Sequence, residues 1–355
     1  MKINTLILNA SLSLLASAAL AQEIQLKIVD SVTSMPIQGA ETIVIYDDPK
    51  NPSRYDEQKK VSNEFGEVHF DGRGSLGATL RVKKDGYYDF GEVSGGDDFR
   101  FTPKELKGGI EQVILLRPIL QPTALHAKRS QPLKYWLDAG TVIPALAEWC
   151  GYDFEVGDWV APYGKGETSD LLFRFEREFA GFDKRYRSKS VEDERAFSKK
   201  AFAVRGEEWT EEKFRLRAGD WNMRLEIGFP RDKEGLVRVV EGYRPHSGLR
   251  MPHRAPTAGY EPSYVYEIKT YGENPRAFRE DIGFFMRTRV VLDENGEIES
   301  ANYAKTHGDF TFDPEGKLSF VYYFNPRPND ENLEFNTNKN LFPEGTPGTF
   351  NFVLP

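Results

Sequence analysis

Cysteine is nearly missing from this chain: Cys150 stands alone among 355 residues. One thiol cannot close an intramolecular disulfide, so the chain must be held together by its core. Cys150 lies in "ALAEWCGYDF" with no histidine nearby, and reads as a buried, inert thiol rather than a nucleophile. Histidine is scarce as well, at five residues. There is no G-x-x-x-x-G-K-[ST] phosphate loop, no G-x-S-x-G elbow and no H-E-x-x-H pair. The glycine-rich "APYGKGETSD" therefore reads as a polar loop, and no cofactor is expected. An excess of positive charge is lacking too. The formal net charge is −8, which opposes nucleic-acid binding, since phosphate contacts need a basic face. The absence of a period of 20 to 50 residues argues against a propeller or solenoid.

Long apolar runs are confined to the N-terminus. Lys2, the stretch "LILNASLSLLASAAL" and Ala19-Leu20-Ala21 have the charged, apolar and small-residue parts of a secretory signal peptide. The expected mature chain starts at Gln22, with no transmembrane span after cleavage. A membrane anchor fits less well, because Asn9 and several serines interrupt the run. The expected localisation is secreted or periplasmic.

Aromatic residues make up 13% of the chain, with 25 Phe and 16 Tyr, which favours β-rich packing. From Gln22 to about residue 117, "EIQLKIV", "AETIVIY", "GEVHF", "GATLRVKK", "GYYDFGEV" and "IEQVILLRP" alternate with period two or are β-branched. Turn-forming stretches such as "SMPIQG", "NEFG" and "KKDG" separate them. Six or seven strands in under a hundred residues predict a small antiparallel sandwich.

"VDSVTSMPIQGAETIVIY", then "VSNEFGEVHF", "LRVKKDGYYDF" and "VILLRP", resembles the carboxypeptidase regulatory-like domain, a transthyretin-like β-sandwich. Pro36 fixes φ at a corner, Gly39 permits the tight turn, Ala40 packs where a larger side chain would collide, and Gly66 allows the next reversal. The sequence departs from the family pattern at Ser62-Asn63, where Thr-Asp is commoner, and in the insertion "DDPKNPSRYDEQKK". The resemblance implies an accessory module of exported, bacterial-type proteins and carries no catalytic residues.

Residues 118–134 hold three prolines and read as a linker, with His126 solvated. Residues 135–355 are then expected to form a larger antiparallel β domain with minor helix. "PALAEW" reads as a short helix, "YDFEVGDWV" as a strand, and "SVEDERAFSKKAFAVRGEEWTEEK" as an exposed helix or an excursion. "KFRLRAG" reads as a strand. Asn295-Gly296 and Glu315-Gly316 mark hairpins in a four-stranded meander. Near the C-terminus, "LEF" and "NLF" read as anchors that dock a tail.

Arg244, His246, Arg250, His253 and Arg254 fall within one Pro- and Gly-punctuated loop. A cationic loop of that length can contact a carboxylate, a phosphate or an acidic sugar through bidentate arginines, or be merely structural. Its His-x6-His spacing and adjacent arginines disfavour zinc, so no metal is expected. Asp153, Glu155 and Asp158 form a carboxylate set that could serve glycoside hydrolysis or simply face solvent. Asp293–Glu297 is explained by its hairpin without calcium. Tryptophans and tyrosines are expected mainly in cores, with exposed ones able to stack on sugars.

These observations favour a mainly β, exported, non-enzymatic binding protein of the envelope or exterior. Its expected partners are carbohydrate or a cell-envelope protein. The alternatives are a secreted hydrolase with its site in the second domain and a structural envelope protein.

Overall fold

The computed structural model describes residues 22–48, 51, 55–72, 76–91, 99–130, 141–182, 190–240, 247–249, 251–270 and 282–349. The signal-peptide reading therefore lies outside the described residues. The chain divides into two compact units, one ending at Pro118 and the other continuing from Ile119.

The first unit is a β-sandwich. Strands β1 (Gln22–Asp30), β4 (Glu67–Gly72) and β7 (Ile110–Leu116) form one sheet in the order β4-β1-β7. The other sheet has the order β3-β2-β5-β6, from β2 (Glu41–Asp47), β3 (Tyr55–Val61), β5 (Ala78–Lys83) and β6 (Arg100–Phe101). Period-two alternation puts Ile24, Leu26 and Ile28 of β1 against Val44 and Tyr46 of β2 and Leu80 and Val82 of β5 in a single core. One pairing departs from the antiparallel expectation: β1 and β7 run parallel. Helix α1 (Pro103–Lys107) supplies the crossover between β6 and β7, and Thr102 and Glu105 close a capping box at its start.

The residues that suggested this sandwich act locally. Asp30 ends β1 by accepting the Val32 and Thr33 amides at 2.8 Å each and the Tyr87 hydroxyl at 3.0 Å. Ala40 is fully buried. Ser62 is buried and donates to the Ile37 carbonyl while accepting from the Ala40 amide, so it ties the Pro36 corner to the next turn. The Asn63 side chain then accepts from Phe65 and Glu67, an Asx turn that sets up the reversal at Gly66.

The second unit is a larger sandwich. Its smaller sheet has the order β11-β10-β12-β13-β15, from β10 (Trp149–Asp153), β11 (Asp158–Trp159), β12 (Leu171–Phe182), β13 (Gly219–Gly228) and β15 (Ser263–Ile268). The larger sheet runs β14-β16-β17-β18-β8-β19, with β9 (Thr141–Val142) also on β18. Its strands are β8 (Thr123–Arg129), β14 (Gly235–Val240), β16 (Ile282–Leu292), β17 (Ile298–Phe312), β18 (Lys317–Asn325) and β19 (Phe335–Asn340). Phe173, Phe175 and Leu225 of the smaller sheet interlock with Phe284, Phe310, Phe320 and Tyr322 of the larger one. The opposite face of the larger sheet is covered too: Met251, Ala255, Leu333 and Phe335 pack on Phe285, Tyr303 and Tyr323. Leu333, Phe335 and Phe342 are buried, which places both tail anchors against the sandwich.

Several local expectations change. Residues 123–129 of the expected linker form β8, with Leu125 and Ala127 buried on one face. The other face carries His126 and Lys128, so the apolar period is hidden in the sequence. His126 is half-buried, edge-on to Phe342 at 4.8 Å, rather than solvated. "YDFEVGDWV" is not one strand: a turn at 154–157 separates β10 from β11. The "PALAEW" stretch has no helix in residues 144–149.

"KFRLRAG" is helical, because Thr210 caps the start of α3 (Glu211–Ala218) and accepts from the Lys213 amide. Before it, the charged segment forms α2 (Val191–Arg205), capped by Ser190 and ended by left-handed Gly206. The meander has three long strands, not four. β17 continues as one strand through an irregularity between His307 and Thr311, with Gly308 at φ 75°.

Candidate functional site

Two constellations in the second unit gather chemistry-bearing side chains. The first is built on the turn between β10 and β11. Arg289 sits in β16 at φ 51°, inside a register shift between Thr288 and Val291. Such a bulge re-aims a side chain. Here it sends the guanidinium toward Asp170, whose side chain is fully buried. The contact is bidentate, Nε to Oδ1 at 2.8 Å and Nη2 to Oδ2 at 2.9 Å. The same guanidinium reaches Asp153 at 3.2 Å and Glu155 at 2.5 Å, and lies over the Phe324 ring at 4.8 Å. The Thr288 hydroxyl and the Phe154 amide also donate to Asp170. Glu234 satisfies the bulge itself by accepting the Val290 amide.

The carboxylates weighed for glycoside hydrolysis or solvent exposure are engaged here in turns and ion pairs. Asp153 Oδ1 accepts the Glu155 and Val156 amides, and Oδ2 accepts the Glu167 and Thr168 amides at 2.9 Å each. Burial alone would raise its carboxyl, but those four amides outweigh burial and hold it below the ordinary value. A carboxylate so saturated has no lone pair directed at a substrate proton. Asp158 is likewise occupied, capping Trp159 and Lys165 amides. For Asp170 burial dominates and pushes the carboxyl up, with Arg289 opposing it.

A depressed carboxyl stabilises the fold above its unfolded value, here the ordinary 3.8, and that contribution is lost as pH falls through the folded value. Unfolding of the second unit is therefore expected to become easier below about pH 4. Urea titrations followed by tryptophan fluorescence at pH 7 and pH 3 measure this. Asp153→Asn should cost about 1–3 kcal/mol at pH 7, from donors left facing an amide. It should also flatten the acid limb; an acid limb unchanged in the variant would place its origin elsewhere.

The second constellation is the outer face of the smaller sheet. Register places Trp149, Arg174, Glu226 and Val265 in one cross-strand row, and Glu176, Arg224 and Glu267 in the next. Trp149 is 44% exposed. A Cβ on Gly228, two strands away, would lie 3.2 Å from its ring. The indole therefore reaches across the sheet to Gly228 while part of its surface stays open to solvent. Beside it, Arg174 pairs with Glu176 at 2.7 Å and Arg224 with Glu226 at 2.5 Å. A groove of about 480 Å³ continues along this face, lined by Glu176, Glu178, Asn222, Arg224, Glu267 and Lys269 among others.

Of the loop residues expected to contact an anion, Arg244, His246 and Arg250 lie outside the described residues. His253 is 9% exposed, and its carbonyl accepts the Leu333 amide. Arg254 is exposed and pairs with Glu331 at 3.1 Å. Both residues belong to the segment that covers the outer face of the larger sheet. Cys150 is fully buried, and burial raises its thiol. Trp159 and Trp221 are core residues, Trp209 is half-buried, and Trp136 lies outside the described residues. Asp293 accepts the Asn295 and Glu297 amides in its hairpin. Among the described residues no group of three or more His, Cys, Asp or Glu is placed to hold a metal ion, and no helix is long and apolar enough to cross a membrane.

Sequence signal for these features was partial. The Arg289 cluster joins residues more than a hundred positions apart, so spacing could not reveal it. The Trp149 row was detectable in principle, because a strand with Trp and Cys alternating must turn one of them outward.

No protein-family model matches the chain, and no curated protein matches it. Among solved structures, an intradiol ring-cleavage dioxygenase from Tetranychus urticae shares 25% identity over 18% of this chain, with a TM-score of 0.15. The match spans 45% of the dioxygenase, less than half its length. The C-terminal domain of the shaft pilin SpaA from Lactobacillus rhamnosus GG matches over 27% of this chain and 97% of its own, at 14% identity and a TM-score of 0.19. A candidate carbohydrate-binding protein from Bacteroides uniformis covers 84% of this chain and 96% of its own, at 9% identity and a TM-score of 0.18. TM-scores this low assign neither a fold family nor a function.

Proposed function

We propose that this is an exported, non-catalytic protein of the cell envelope or exterior whose second unit binds a glycan on the outer face of its smaller sheet. One observation carries the reading: the half-exposed indole of Trp149 reaches across the outer face of the smaller sheet to Gly228, on the face that also carries the Arg174–Glu176 and Arg224–Glu226 pairs and, farther along, the groove. A flat aromatic plate takes the apolar face of a sugar ring. Neighbouring guanidinium and carboxylate groups, already held by each other, donate to and accept from its hydroxyls at little entropic cost. Export rests on the N-terminal sequence, and the carboxypeptidase regulatory-like identity of the first unit rests on the residues around Pro36, Gly39 and Gly66. In this reading the first unit is an accessory module.

The test is retention of the chain from Gln22 on a panel of immobilised polysaccharides. Trp149→Ala is expected to weaken retention about tenfold, which corresponds to about 1.4 kcal/mol. Arg224→Ala should weaken it less. Retention on no polysaccharide would end the glycan reading and favour an envelope-protein partner. Retention untouched by Trp149→Ala would move the site, and Arg254→Ala would then test the 241–260 loop.

A further inference from the structure

A second cavity, of about 490 Å³, lies between β8, the β10–β11 hairpin and the turn at Thr346-Pro347. That volume is in the range that holds a small molecule. Its wall contains Lys128, which is only 7% exposed. The Lys128 ammonium donates to the Gly157 carbonyl at 2.7 Å and sits 5.5 Å from the centre of the Phe342 ring. Among the described residues no carboxylate lies within ion-pair distance of it, and Asp158 acts on it only from farther away. A buried ammonium with one of three donors satisfied and no counter-charge is costly. Tyr152 also lines the cavity. Its hydroxyl is buried beside that of Tyr322, which donates to the Phe154 carbonyl.

We infer that this cavity binds a small hydroxylated carboxylate, a uronic acid in chemical class, with its carboxylate on Lys128. The polar wall sets the class. Lys128 and Lys165 bring two positive charges and Asp158 one negative, a net charge of one that a monoanion neutralises. Thr141 accepts the indole N–H of Trp159 and keeps its own proton to donate to a sugar hydroxyl. The cavity is separate from the outer sheet face, and its occupant can be a free acid or the acidic residue of a chain.

Calorimetric titration of the full chain with D-galacturonate, D-glucuronate, D-galactose, D-glucose and inorganic phosphate tests the inference. Saturable binding of at least one uronate is expected, at least tenfold tighter than its neutral parent sugar and than phosphate. Lys128→Met keeps the stem that packs against Gly157 and removes the ammonium; it is expected to weaken uronate binding at least tenfold. Should that variant fail to fold, Thr141→Val should weaken binding several-fold with the fold intact. The inference is overturned if neither uronate binds, if the parent sugar or phosphate binds as well, or if whichever variant folds binds uronate like the unaltered protein.

Discussion

Replacing Arg289 by methionine is expected to destabilise the second unit by about 3–5 kcal/mol, the cost of stranding buried charge when one member of a buried ion pair is removed. Asp170 is fully buried and loses both arms of its bidentate partner; Asp153 loses one donor and keeps four. Methionine can still cover Phe324, so packing loss is small beside the electrostatic term. Urea unfolding followed by tryptophan fluorescence measures the shift. The tryptophans all fall after residue 118, so the signal belongs to this unit. Pairing Arg289→Met with Asp170→Asn closes a double-mutant cycle. A large coupling is expected, because Asp170→Asn removes the charge that methionine strands. A loss below about 1 kcal/mol for Arg289→Met would mean that the cluster behaves like a surface ion pair.

The same cluster explains what could be read from the sequence and what could not. Strands were legible where one face is apolar and the other polar, as in β2, whose burial alternates residue by residue. They were illegible where polar side chains enter the interior. β8 carries Lys128 and His126 inward and Leu125 and Ala127 onto a face covered by distant loops, so its residues looked like a linker. β17 buries Asn302, Lys305, Thr306 and Asp309, and nothing local in those residues announces a doubly covered strand. The opposite error occurred at "KFRLRAG": its period-two pattern suggested a strand, yet Thr210 and two following glutamates start a helix there. Capping chemistry outranked alternation. Asp153 and Asp158, which alternation alone left open between catalysis and solvent exposure, hold turns by accepting backbone amides. A sequence shows a carboxylate's position and not its hydrogen-bond partners.

Gly66 gives the sharpest test of the first unit. Its φ of 75° is left-handed, and a Cβ placed there would stand 2.3 Å from the Ile28 carbonyl oxygen and 3.1 Å from Pro36. That oxygen cannot retreat cheaply, because it accepts the Ile37 amide at 3.0 Å, while the Ile28 amide donates to Gly66 itself at 2.7 Å. Gly66→Ala is thus expected to cost about 3 kcal/mol or more, combining left-handed strain with backbone displacement. A sandwich of under a hundred residues has only a few times that in total. The two units have separate cores and all tryptophans fall in the sequence of the second unit, so the consequence is visible in two signals. Far-ultraviolet dichroism should show a new transition well below the original, while the tryptophan transition stays where it was. If both signals shifted together, the units would unfold as one cooperative body. If neither shifted, the corner formed by Pro36, Gly39 and Gly66 would not be what fixes the first sandwich.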